Sequence, residues 1–151
     1  MTGSLVHSPA QILRKLLIDL GLGSMPDPTT TIIWPIFAES MPSSPDNLIC
    51  TYTTQGVLQG SSMVDGEVQE SYGFMIKVST AVDRDGWSMA SLIVNKIDKE
   101  VNRTTVIIDA FSYLVHSMRR TSSILNLGKG VPANKQNAYT INGTMTITQI
   151  F

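Results

Sequence analysis

Residues 69–80, QESYGFMIKVST, and residues 81–98, AVDRDGWSMASLIVNKID, form the stretch that decides the fold. In the first part Tyr72, Phe74, Ile76 and Val78 alternate with Gly73, Met75, Lys77 and Ser79. That is the period-two pattern of a strand buried on one face. In the second part Trp87, Ala90, Val94, Ile97 and Val101 recur at steps of three and four, while Lys96, Asp98, Lys99 and Glu100 fall elsewhere. One stripe of a helix is therefore apolar and the remainder faces water. The pair predicts a strand followed by an amphipathic helix laid across the sheet, with Trp87 in the core.

The 151 residues suit a single domain spanning 1–151, and a domain of this length typically buries about 70% of the surface its unfolded chain exposes. Eleven basic and 12 acidic residues leave a formal charge of -1, so no general electrostatic drive toward nucleic acid or anionic lipid exists. Cys50 is the sole cysteine. It excludes an internal disulfide and a multi-thiolate metal site, and it fits synthesis in a reducing cytoplasm. The start MTGSLVHSPAQ lacks a basic region followed by an apolar run, so an unprocessed chain is expected. No window approaches 18 uninterrupted apolar residues, so no membrane contact is expected. The sequons at Asn102 and Asn142 then carry little weight.

Working outward, Ser8-Pro9-Ala10-Gln11 reads as a helix start with a capping box. Ile12, Leu13, Leu16, Leu17 and Leu20 supply its apolar stripe, and Gly21 or Gly23 its left-handed end. TTIIWPIFAE reads as a strand that Pro35 confines to an edge or an irregular position. LICTYTT follows as a second strand, with Cys50 as a small buried hydrophobe. After the second helix TTVIIDA, FSYLVHSMRR and AYTINGTMTITQIF read as strands, separated before the last by the polar stretch SSILNLGKGVPANKQN. Asn142-Gly143 suits either a tight turn or a bulge within one long strand, and the unbroken alternation of Tyr139, Ile141, Met145 and Ile147 against threonines favours the strand. The expected fold class is α+β: a mostly antiparallel or mixed sheet with two main helices packed on it.

Residues 55–65, QGVLQGSSMVD, have no clear periodicity and a single charge. They read as a mobile arm or long hairpin loop, of the kind that binds a protein partner. Gly56, Val57, Leu58, Gln59, Met63 and Asp65 are its candidate interface residues.

Little in the chain points to chemistry. Cys50 with His7 or His116 offers a weak nucleophile and base pair, since no carboxylate stands beside His116 in sequence. Two distant histidines assemble no metal site. Gly21-Leu22-Gly23 follows a helix, the wrong context for a dinucleotide site. At Leu127-Gly128-Lys129-Gly130, Ser123 stands where a phosphate loop has its first glycine, and Gly130 where it has its hydroxyl. Asp83-Arg84-Asp85 reads as a helix cap. Arg119 and Arg120, with Lys129 and Lys135 beyond, are the one basic concentration, a solvated rim or a phosphate contact. No catalytic residue, cofactor or metal is expected.

SPDNLICTYTT after a proline-rich loop, SSMVDGE, QESYGFMIKV, DRDGWSMASLIVNKID and the closing AYTINGTMTIT, taken together and in this order from Ser8 onward, resemble the phage minor capsid or tail terminator family. The resemblance rests on the order and flavour of segments. It implies a small domain of tail-terminator type that assembles as a homo-oligomeric, hexameric ring in the virion neck. Such a ring caps the head-proximal end of the tail tube, ends its polymerisation and joins tail to head. The implied partners are other copies of the chain, the major tail tube protein and a head-completion or connector protein, with DNA crossing the lumen without specific binding. Assembly is expected in the bacterial host cytoplasm. Arg84 and Asp85 are added as interface residues, which the family pattern itself does not specify. The alternatives are a head-side connector touching DNA through Arg119 and Arg120, and a small Cys/His enzyme.

Overall fold

The computed structural model describes residues 6–25, 34–40, 47–61, 68–80, 83–129 and 137–150. The elements are α1 (Pro9–Asp19), β1 (Ile36–Ala38), β2 (Leu48–Ser61), β3 (Val68–Thr80), α2 (Asp83–Glu100), β4 (Asn102–Ile108), β5 (Phe111–Arg120), β6 (Leu125–Lys129) and β7 (Asn137–Ile150). The strands form one mixed seven-stranded sheet in the order β1-β2-β3-β7-β5-β4, with β6 also on β7. β1 and β2 run parallel and every other pair antiparallel. The fold is α+β, as the alternating strand and amphipathic helix require.

Both helices lie on one face. The Thr51 hydroxyl donates to the Ala10 carbonyl at 2.7 Å, and the Thr53 hydroxyl accepts from the Ala10 amide at 3.2 Å, which holds α1 over β2. Thr51 pairs with Ile76 and Thr53 with Phe74, while Ile76 and Phe74 pair with Ile141 and Gly143. These side chains share one face, and the core between sheet and helices is Leu13, Leu16 and Leu17 of α1, Ala90, Ile93 and Ile97 of α2, and Phe74, Ile76, Val78, Ile141, Tyr113 and Val115 of the sheet.

α1 starts as its sequence dictates. Ser8 Oγ accepts from the Gln11 amide at 3.3 Å, and Gln11 Oε1 from the Ser8 amide at 3.0 Å. Gly21 ends the helix at φ +80, a conformation that costs glycine little. β1 is an edge strand, and Pro35 accepts from the Ile49 amide at 2.9 Å with its carbonyl, the one group it can offer. The expected strand residues 30–33 lie outside the described residues. Among the described residues no helix is long and apolar enough to cross a membrane.

The structure corrects four expectations. Trp87 is 52% exposed rather than core. The buried stripe of α2 is centred on Gly86, Ala90, Ile93 and Ile97, because a Cβ at Gly86 would stand 2.4 Å from Thr80 Cγ2 and 2.6 Å from Tyr139 Cε2. Hydrogen at position 86 lets the helix settle on the sheet there, which rotates Trp87 to the margin, edge-on to Tyr139 at 6.1 Å. The polar stretch before the last strand contains β6, whose apolar signal is too short to read. Asn142-Gly143 lies within the continuous β7, as the alternation favours, but without the bulge that one long strand allows there: Gly143 is in register with Phe74 and Arg120. The bulge falls on β5, between Val115 and Ser117. Finally, β2 does not end at Thr54 but runs to Ser61, so the first half of the expected arm is strand.

Candidate assembly surfaces

The regular register of β2 on β3, from Leu48↔Ser79 to Thr54↔Gly73, breaks before Val57↔Ser71 and again before Ser61↔Val68. Pairing of β3 with β7 stops at Ser71↔Thr146, although β7 continues to Ile150 against β5. From Val57 to Ser61 and Val68 to Glu70 the two strands therefore pair only with each other among the described residues. They form a ribbon that leaves the sheet, since each bulge adds twist and bends the strand that carries it. A two-stranded ribbon is at best marginally stable in water and gains from a third partner. Val57, Leu58 and Gln59 belong to this ribbon and Gly56 to the register break just before it, whereas Met63 and Asp65 lie outside the described residues.

The edges of the sheet are unequally guarded. β1 is only three residues long and follows Pro35. Beyond it, Glu39 Oε1 accepts from the Thr53 amide at 3.0 Å and from the Thr53 hydroxyl at 2.6 Å. Past that point β2 reads QGVLQGS over 55–61, with no charge and no proline. At the far side β4 reads NRTTVII, and Asn102, Arg103, Thr105 and Ile107 are exposed, Ile107 at 56%. Short length, proline and charge are the usual protections of a sheet edge, and the two outer stretches lack most of them.

Arg119 and Arg120 are not brought together. Arg120 points to the helix side and binds Asp98 through two nitrogens, Nη2 to Oδ2 at 3.0 Å and Nε to Oδ1 at 3.3 Å. Arg119 pairs with Thr144 across the sheet and is exposed on the opposite face. That face carries Lys77, Thr140, Thr144, Thr146 and Thr148, and at its β1 margin the Glu39 carboxylate is close enough to act on Cys50 and Tyr52.

Cys50 and His116 are held apart, because β3 and β7 separate their strands. His116 Nε2 meets the Thr148 hydroxyl at 2.8 Å. Burial pushes the Cys50 thiol up, opposed by the Tyr52 hydroxyl and reinforced by the Glu39 carboxylate, so it rests as the weakly nucleophilic thiol. Burial also raises Tyr52, with Cys50 and Glu39 adding to the rise. His7 is occupied as well. Its Nδ1 lies 2.6 Å from the Tyr113 hydroxyl, which also accepts from the His7 amide at 3.1 Å, and its Nε2 lies 3.7 Å from Asp109 Oδ2. Among the described residues no three metal-ligating side chains cluster.

Asp85 is exposed at the opening of α2 and, with Trp34, Asn47, Ser88, Met89 and Leu92, lines an open depression of about 370 Å³. Arg84 lies in α2, and only its backbone is described. Sequence reading missed Glu39, whose role depends on a strand contact, took Ile107 as an ordinary member of a strand run, and did not single out Leu92. No protein-family model matches the chain, and a search of curated proteins finds no significant match.

Proposed function

We propose that the chain is a structural virion protein of a long-tailed phage: a ring-forming tail terminator that caps the head-proximal end of the tail tube, ends its polymerisation and joins tail to head. The ribbon between β2 and β3 is the observation that carries this reading, since among the described residues no third strand of its own subunit pairs with it, which makes it a ready-made contact element. A near-neutral chain suits protein contacts and a lumen that lets DNA slip past. A ring of identical subunits needs a heterologous interface, one patch meeting a different patch on the neighbour, and a sheet with two dissimilar open edges offers one. The other partners are the major tail tube protein on one side of the ring and a head-completion protein on the other. Arg119, exposed on the face opposite the helices, favours as a second reading a head-side connector that touches DNA.

Light scattering of the purified chain, with and without the matching tube protein, tests the first reading. A closed multiple near the hexamer, alone or on the tube, supports it, and a monomer that ignores the tube protein rejects it. Deletion of residues 56–64 should abolish assembly and change the circular dichroism spectrum by no more than the loss of the ribbon strand over 56–61. Strong, salt-sensitive DNA binding by the isolated chain would move the assignment to the connector.

A further inference from the structure

We infer that neighbouring copies of this chain join by strand addition, the outer edge of β2 over residues 55–61 pairing with the outer edge of β4 in the next copy. The inference rests on the ring reading and names the surfaces that would close it. Among the described residues nothing pairs with either edge: the β1 ladder on β2 ends at Thr51, and β4 is the last strand of the sheet, bonded only to β5.

The two edges are complementary in chemistry. Residues 55–61 are uncharged, and within β4 the run Thr104–Ile108 is uncharged and rich in β-branched residues, the types that fit a pleated surface. Neither stretch contains proline or an inward charge, and the one charge of β4, the exposed Arg103 at φ +51, stands before that run and leaves Thr104–Ile108 clear. The other open edges do carry blocks. β1 is short and follows Pro35, Glu39 occupies the donors at Thr53, and β6 is five residues long with a register break and a terminal lysine.

Every copy carries one edge of each kind, so a second copy brings the strand that either edge lacks. The two lie toward opposite ends of the strand order, with β3, β7 and β5 between, and α1 packs against both β2 and β4; among the described residues these edges do not pair within one copy, so pairing runs from copy to copy. Because β2 meets β4 and never itself, the contact is heterologous, the type that builds a ring when its rotation closes. Backbone hydrogen bonds supply the affinity, as in other strand-addition complexes, and the ribbon gains the third strand that it lacks.

The test uses the full chain in a Cys50→Ala background, with Leu58→Cys and Thr105→Cys introduced singly and together. A short bis-maleimide linker should give the double variant a ladder of covalent multimers and leave each single variant at monomer mass. Ile107→Lys, which puts a charge on an exposed edge residue, should reduce the assembled mass to the monomer at an unchanged circular dichroism spectrum. Dimers from Thr105→Cys alone would mean that β4 pairs with β4. A ring that gives no ladder and tolerates Ile107→Lys would overturn strand addition while leaving the ring intact, and would point to a strand of the tube protein at these edges. A chain that never assembles, with or without the tube protein, rejects the ring reading and strand addition together.

Discussion

Glu39 ends the ladder that β1 begins, because its Oε1 accepts from both the amide and the hydroxyl of Thr53, at 3.0 and 2.6 Å. The Glu39 amide donates to the Thr51 carbonyl at 2.8 Å as a last backbone rung. At φ +69 the chain then turns in a conformation unusual outside glycine, and the side chain takes the place of the next strand residue. Replacing Glu39 with Ala should cost about 1 kcal/mol, the ordinary net worth of such bonds. Glu39→Gln, which keeps a carbonyl oxygen, should recover most of it. Urea denaturation measures both, and an unchanged midpoint in Glu39→Ala would mean that water serves Thr53 equally well.

Gly86→Ala sets helix propensity against packing. Alanine in a helix interior is favoured over glycine by about 1 kcal/mol, but here the added methyl would meet Thr80 and Tyr139 well inside contact distance. Overpacking a close-packed site costs about 1–3 kcal/mol, so the variant should be destabilised. A rise in melting temperature would show that α2 can lift from the sheet without loss.

Tyr113→Phe removes the hydroxyl that engages both the amide and the ring of His7. Tyr113 is fully buried, and a buried donor or acceptor left unmatched costs about 1–3 kcal/mol. Hydrogen exchange should quicken at the first turn of α1 and stay slow in β3 and β7. Uniform loss of protection would instead indicate a global effect.

The buried thiol gives a pH dependence with a definite sign. The folded Cys50 pKa lies above the ordinary 9.0, so below pH 9 both states keep the proton and the contribution to stability is complete. As pH rises through 9 the unfolded chain ionises first and holds fewer protons than the folded one, so stability falls. Tyr52 is shifted in the same direction from its ordinary 10.0 and adds to the fall at higher pH. Denaturant midpoints between pH 8 and 10.5 should decline for the parent and decline less steeply for Cys50→Ala, with at most about 1.4 kcal/mol per pH unit from each group. Equal slopes in the two proteins would remove Cys50 from this account.

Much of the fold was legible because its signals are local. Ser8 and Gln11 sit three residues apart, and the pattern of β3 and β7 repeats every second residue, so neighbouring residues suffice to read the cap and the two strands. Trp87 defeated the same reasoning because its burial depends on how far α2 rolls. That roll is set by the approach of Gly86 to Thr80 and Tyr139, and none of the three is distinctive in sequence. The candidate assembly surfaces were half legible. The uncharged stretch after Thr54 stood out by composition, but that it is ribbon rather than loop depends on where β3 parts from β7. Arg119 and Arg120 read as one basic cluster because adjacent residues look joined on paper, although neighbours on a strand face opposite ways.

By itself the sequence determined the α+β class, the capped first helix, the strand and helix at residues 69–98 and the buried state of Cys50, since each follows from the spacing of apolar and capping residues along a short length of chain. Only the tertiary structure decided the order of strands, the place of the β5 bulge, the occupation of Arg120 by Asp98 and the edges left open. Those depend on which distant segments come to lie side by side, and that choice is made by the packing of the whole core rather than by any local run of residues.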